Sequence, residues 1–152
     1  MQVRDLMSRQ VVNIGSSDSC LEAVRLMHRS RVRHLPVVDR GGLLVGIVTD
    51  RDLRHHLFSP PVFKELGETS VEILLKAVPV AEVMSTGVIS VEPETELTEA
   101  ARLMQERKVG SLPVVEGGRV LGMLTETDML RQICRAEAGG TPECAEIIVS
   151  YP

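Results

Sequence analysis

The chain has 152 residues, of which 43% are hydrophobic and 25% are charged, and its formal net charge is −4. These fractions are typical of a folded globular protein and exclude a disordered chain, and no apolar run reaches the roughly 18 residues of a membrane-spanning helix. Nine arginines against six acidic residues in 1–57 could attract a phosphorylated ligand, whereas eight basic against fifteen acidic residues in the remainder argue against a nucleic-acid binder.

Residues 1–57 are predicted to form one small unit. The order strand, helix, strand, strand, helix is predicted from four local signals. These are a β-branched run, apolar residues at helical spacing, a hairpin turn at 40–42 and a fully apolar run after that turn. The predicted strands are 11–14, 35–39 and 43–48. The first helix is capped by one of the residues 17–19, and the second helix begins at residue 49.

The same unit occurs a second time. The sequence VRDLMS at 3–8 returns as VAEVMS at 80–85, EAVRLM at 22–27 returns as EAARLM at 99–104, and LPVV at 35–38 returns at 112–115. Self-similarity at a fixed offset is typical of repeat architectures. A unit this short cannot easily bury both faces of its sheet, so we expect the two units to pack sheet against sheet about a pseudo-twofold axis.

The chain is therefore predicted to consist of repeat 1 (1–57), a helical connecting segment (58–79), repeat 2 (80–133) and a tail (134–152). The apolar residues near 146–151 of the tail could form a further strand. The N-terminus lacks the apolar stretch of a signal peptide, so we expect a cytoplasmic protein. Three cysteines without a CxxC pair indicate neither a disulfide framework nor a zinc site.

The most informative local motif is GIVTDRD at 46–52, which returns as GMLTETD at 122–128. An apolar strand leads directly into a helix N-terminus, where unpaired N–H groups and the helix dipole favour an anion. A Thr hydroxyl could donate to a phosphate, an Asp carboxylate could hold ribose hydroxyls, and the glycine could let a ligand approach the backbone. The Thr-x-x-Asp pattern also fits a capping box that needs no ligand, and both interpretations stay open.

Cations precede the Leu-Pro-Val-Val strand of the first repeat, in the sequence RSRVRH at 29–34. Arg33 and His34 could reach a cleft and bind phosphate, or the run could be a solvated basic face. The corresponding place in repeat 2 is Gly110-Ser111, which offers no cation. Neither a metal site nor a set of catalytic residues can be assembled from the sequence, so no enzyme is predicted.

Taken together, these motifs in this order, present twice, resemble the CBS domain pair, or Bateman module, here expected as a stand-alone protein. The resemblance implies an α/β (α+β) fold of tandem β-α-β-β-α repeats, a homodimer, and adenosine-ligand sites in the clefts between the repeats. The usual ligands of the family are AMP, ADP, ATP and S-adenosylmethionine, and no further cofactor is required.

The resemblance also implies roles for individual residues. Asp52 and Asp128 would hold ribose, Thr49 and Thr125 would meet phosphate, and Arg33 and His34 correspond to basic phosphate-binding positions. The predicted nucleotide-binding set also includes three neighbouring motif positions, Arg51, Thr127 and Pro36. Four further residues would lie along the base: Val11, Val12, Val88 and Ile89. Which aspartate shares a cleft with Arg33 stays open.

The implied function is that of a sensor that binds an adenosine nucleotide and signals to a separate, unidentified protein partner. Such signalling requires two states that bind the ligand unequally. The alternatives are an assembly module whose clefts stay empty and a binder of S-adenosylmethionine.

Overall fold

The structure, a computed structural model, describes residues 1–57 and 68–137. Repeat 1 contains β1 (Ile14–Gly15), α1 (Cys20–Ser30), β2 (His34–Val38), β3 (Leu44–Thr49) and α2 (Asp50–Leu57). The helix α3 (Glu68–Ala77) lies in the connecting segment. Repeat 2 contains α4 (Leu97–Arg107), β4 (Ser111–Glu116), β5 (Arg119–Thr125) and α5 (Glu126–Glu137). The strand predicted near 146–151 and residues 58–67 of the connecting segment lie outside the described residues.

The two repeats share one topology, which confirms the predicted α+β fold. In repeat 1, β2 is central: β1 runs parallel to it, with Ile14 opposite Val37, and β3 runs antiparallel to it. In repeat 2, β4 and β5 form the same antiparallel pair, and Val91 bridges Val114 in parallel. Ser19 caps α1 by accepting a hydrogen bond from the N–H of Glu22 over 3.2 Å.

The first strand of each repeat is shorter than predicted. In repeat 2 the N–H of Val91 donates to the carbonyl of Pro113 and the N–H of Val115 donates to the carbonyl of Val91. Continuing this parallel ladder backwards would require an N–H from the proline, which has none. Because Pro36 is the equivalent residue in repeat 1, β1 begins at Ile14, and the predicted strand at 11–14 is wrong for 11–13.

The repeats exchange their N-terminal segments. Val80 and Val83, at the N-terminal end of repeat 2, are buried in the core of repeat 1 together with Leu75 of α3. Reciprocally, Val3 is fully buried in the core of repeat 2, and Met7 packs against the same core. Each predicted repeat is thus completed by a segment of the other, so the core boundary does not follow the sequence boundary.

The repeats also meet at their hairpins. The turn of repeat 1 closes by hydrogen bonds between Asp39 and residues 42 and 43, and Gly42 has a φ of +81°, which favours glycine. Leu43 forms an antiparallel bridge with Arg119, and the N–H of Leu44 donates to the carbonyl of Gly118 over 2.9 Å. The two small sheets are therefore connected through main-chain atoms.

Candidate functional site

Both Thr-x-x-Asp motifs form closed capping boxes. The N–H and the hydroxyl of Thr49 each donate to Oδ2 of Asp52 over 2.8 Å, and the N–H of Asp52 donates to Oγ1 of Thr49 over 3.1 Å. The corresponding distances between Thr125 and Asp128 are 2.9, 2.6 and 3.3 Å. The capping interpretation therefore applies to both helices.

This geometry constrains what each residue can offer a ligand. A hydroxyl has one proton, and Thr49 and Thr125 give theirs to the aspartate, so a phosphate would have to compete for it. Each aspartate is half-buried, and the two bonds that its carboxylate accepts both go to Oδ2. In Asp128, Oδ1 lies 3.8 Å from the guanidinium of Arg131. A carboxylate held in this way presents its second oxygen in a fixed orientation.

The glycines of the motifs have a different role from the expected one. A Cβ at Gly46 would lie 2.6 Å from Sδ of Met84, and a Cβ at Gly122 would lie 2.6 Å from Sδ of Met7. These distances are shorter than real Cβ contacts, so the glycines make room for methionines of the opposite repeat. The expectation that they admit a ligand to the backbone is wrong.

The basic positions lie beside the first residue of α2. The carbonyl of Arg33 accepts a hydrogen bond from the N–H of Asp50 over 3.1 Å, and His34 is opposite Thr49 in the sheet. Arg33 is exposed, whereas His34 is half-buried. The backbone is the same in repeat 2, where the carbonyl of Gly110 accepts from the N–H of Glu126.

Burial lowers the pKa of the His34 imidazole below its ordinary value of 6.5, and Arg33 also lowers it. The carboxylates of Asp50, Asp52 and Glu126 act in the opposite direction. Glu126 belongs to repeat 2, so the N-terminus of α5 lies close enough to interact electrostatically with this histidine of repeat 1.

The other predicted site residues differ in accessibility. Four of them are half-buried and lie outside the strands: Val11, Val12, Val88 and Ile89. Arg51 and Thr127 are exposed on the first turns of α2 and α5. Pro36 is fully buried in the central strand. Because its ring has no free surface for a ligand, we leave Pro36 out of the proposed site.

A cavity of about 370 Å³ lies at the other end of β2, and it has no counterpart in the sequence predictions. It is lined by residues 15–17 of the first loop and by 38–40 of the hairpin. In the register of the sheet, His34 is opposite Thr49, whereas Val38 is opposite Leu44. The cavity is therefore separate from the Thr-x-x-Asp site.

The described part of the chain contains no cluster of three or more His, Cys, Asp or Glu residues that could hold a metal ion. Within residues 1–57 and 68–137, no helix is both long and apolar enough to cross a membrane.

The sequence matches the CBS domain family twice, over residues 3–59 and 80–135. The chain belongs to the CBS domain family. A CBS domain-containing protein of Dictyostelium discoideum is 36% identical over 129 residues, which cover 84% of this chain and 88% of that protein. Another curated relative, the protein MJ1404 of Methanocaldococcus jannaschii, is 33% identical, but the chain spans only 34% of its length.

Solved structures of CBS domain proteins have the same fold. The structure of CBSX2 in complex with AMP has a TM-score of 0.72 and 32% identity, and the match covers 90% of this chain and 98% of that one. The CBS domain pair of protein MJ0100, in complex with 5′-methylthioadenosine and S-adenosyl-L-methionine, has a TM-score of 0.72 and 26% identity, with the same coverage.

Proposed function

We propose that the protein is a regulatory module that binds AMP, ADP or ATP in the clefts between its CBS repeats and catalyses no reaction. The observation that carries this proposal is the duplicated, half-buried aspartate whose Oδ2 is anchored by threonine. A fixed carboxylate oxygen beside a helix N-terminus suits the two hydroxyls of a ribose next to a phosphate. That CBSX2 was solved with AMP and MJ0100 with two adenosine derivatives supports an adenosine ligand.

The exchanged segments support a composite construction for each cleft. Ser8 pairs with Met123, two residues before Thr125, and the chain then continues to Val11 and Val12. The carboxylate of Glu126 raises the pKa of His34, so the basic positions of repeat 1 lie near the N-terminus of α5. We therefore assign Asp128 to one cleft with the base-lining valines and the cations of repeat 1.

By the same construction, the second cleft combines Asp52 of repeat 1 with Val88 and Ile89 of repeat 2. Ser85 pairs with Ile47, two residues before Thr49. Gly110 and Ser111 replace Arg33 and His34 there, so this cleft lacks their positive charge. We expect it to bind phosphorylated ligands less tightly than the cleft of Asp128, and a less anionic adenosine derivative such as S-adenosylmethionine is its alternative ligand.

The proposed output is to a separate protein in the cytoplasm, through a homodimer. Two large apolar side chains on α5, Leu130 and Ile133, are 62% and 55% exposed. They lie three residues apart and therefore on one face of the helix. Such a face is suited to burial against a second copy of the chain, where a ligand-dependent change could be transmitted.

Thermal unfolding with AMP, ADP, ATP, S-adenosylmethionine and a short RNA tests this function. A nucleotide at 100 times its dissociation constant should add about 2.7 kcal/mol to the free energy of unfolding. An assembly module with empty clefts would respond to none of the ligands, and a response to RNA alone would contradict the proposal.

A further inference from the structure

Two methionine–glycine contacts connect the repeats just before the Thr-x-x-Asp motifs. Met84 occupies the space above Gly46, and Met7 occupies the space above Gly122, with the same 2.6 Å spacing between Sδ and the position of a Cβ. Interiors are close-packed, so an added methyl group at either glycine must displace the methionine or the strand. The contact occurs at equivalent places in both repeats, so it is a repeated feature of the architecture.

Main-chain pairing fixes each methionine to the strand that leads into the helix of the aspartate. The N–H of Ile47 donates to the carbonyl of Ser85 over 3.0 Å, and the N–H of Ser85 donates back over 2.9 Å. Ser8 and Met123 exchange the same two bonds, both over 2.9 Å. The backbone next to each methionine is thus paired two residues before Thr49 or Thr125.

From this anchor the chain crosses to the other repeat. Met7 packs against the core of repeat 2, whereas Val12 packs against the core of repeat 1. The reciprocal crossing leads from Met84 in the core of repeat 1 to Ile89 in the core of repeat 2. A five-residue step spans at most about 18 Å, so the contact and the base-lining residues are close along the chain.

We propose that Met7 and Met84 are positioning residues for adenine recognition, an inference that rests on the proposed nucleotide function. Met7 sets the register between Val11-Val12 and the carboxylate of Asp128. Met84 does the same for Val88-Ile89 and Asp52. A shift of either methionine would move the base-lining residues relative to the ribose-binding carboxylate, while Thr49 and Thr125, which are bonded to the carboxylates, keep their place beside them.

The test compares AMP with ribose 5-phosphate, which lacks the base, by calorimetric titration of the full chain. Gly122→Ala should weaken AMP binding roughly tenfold, because the added Cβ would lie 2.6 Å from Sδ of Met7 and 2.9 Å from the carbonyl oxygen of Ser8, so overpacking displaces the segment that carries both. Binding of ribose 5-phosphate should stay within about twofold of the wild type. Removing the Met7 side chain in Gly122→Ala/Met7→Ala relieves that contact but not the one with the Ser8 carbonyl, so it should recover part of the lost AMP affinity. Met104→Ala, which empties a buried position on α4, is the matched control and should leave the ratio of the two affinities unchanged.

Equal weakening of both ligands by Gly122→Ala, or no recovery in the double variant, would overturn the positioning role while leaving nucleotide binding intact. A wild-type chain that binds neither ligand would instead overturn the proposed function, and this inference with it. Should Gly122→Ala not fold, Met7→Leu decides by the same ratio, because a volume-conserving substitution is tolerated by the core but changes the contact with Gly122.

Discussion

The hydroxyl of Thr49 donates to Oδ2 of Asp52 over 2.8 Å, while the N–H of Asp52 donates back to Oγ1 of the same threonine. The pair fixes the carboxylate before any ligand is bound. One aspartate can therefore both cap the helix and bind a ligand. The cap uses one carboxylate oxygen and thereby fixes the orientation of the other.

Replacing Thr49 by valine tests this preorganisation. The variant keeps the side-chain shape but removes the hydroxyl, so the free energy of unfolding should fall by about 1 kcal/mol, as for the loss of an N-cap. AMP binding should weaken as well, since Asp52 loses its anchor. Thr49→Ser keeps the hydroxyl and should resemble the wild type in both measurements. AMP binding that is unchanged in Thr49→Val would show that the anchor has no role in recognition.

Arg33→Ala tests the cationic cleft. A hydrogen bond to a charged group contributes about 1.5–3 kcal/mol, so ATP and ADP should bind more weakly, with less effect on adenosine. The salt dependence of ATP binding should also decrease, because one charge no longer contributes. Arg29→Ala, an exposed arginine on α1, serves as the control. Equal weakening of ATP and adenosine would place Arg33 outside the phosphate site.

The pKa of His34 predicts how stability depends on pH. Because burial lowers this pKa below 6.5, the unfolded chain takes up a proton at a higher pH than the folded chain does. Stability should therefore fall as the pH drops from above 6.5 through the lower folded-state pKa. Urea unfolding at about pH 7.5 and about pH 5.5 should show a smaller pH effect in His34→Gln than in the wild type. His55→Gln, at an exposed position on α2, is the control. An identical pH effect in His34→Gln and the wild type would contradict the prediction.

Two helix ends carry cations in the left-handed region, where glycine is favoured. Arg31 and Lys108 both have a φ of +54°. Arg31→Gly should raise the free energy of unfolding by about 1 kcal/mol, because the side chain pays a steric penalty there. Arg31→Ala keeps a Cβ and should show no such gain, so an equal gain in both variants would point to charge and not to backbone strain.

The exposed face of α5 predicts the assembly. Leu130→Asp places a charge on that face and should convert the expected dimer into a monomer in light scattering at tens of micromolar. Ile73→Asp on α3, at a position that is 65% exposed, should leave the mass unchanged. A wild-type chain that is already monomeric would contradict the proposed dimer.

The sequence allowed the duplicated unit, its helices and hairpins, and the Thr-x-x-Asp motifs to be predicted, because apolar period, turn residues and caps are local signals. The exchange of segments was not predictable in this way. The apolar pattern of Val3, Leu6 and Met7 indicates burial but does not specify which of two similar cores receives them. The short first strand was missed because its limit is set by a missing N–H in the neighbouring strand, at Pro36.

The most direct test of nucleotide sensing is thermal unfolding with and without AMP for the wild type, Asp52→Ala, Asp128→Ala and the double variant. Each single variant should lose about 1 kcal/mol of intrinsic stability from its cap. Each should also lose part of the AMP-induced stabilisation, and the double variant should lose nearly all of it. If the double variant loses only the intrinsic stability and keeps the full AMP-induced increment, the aspartates are caps alone and the proposed binding site is wrong.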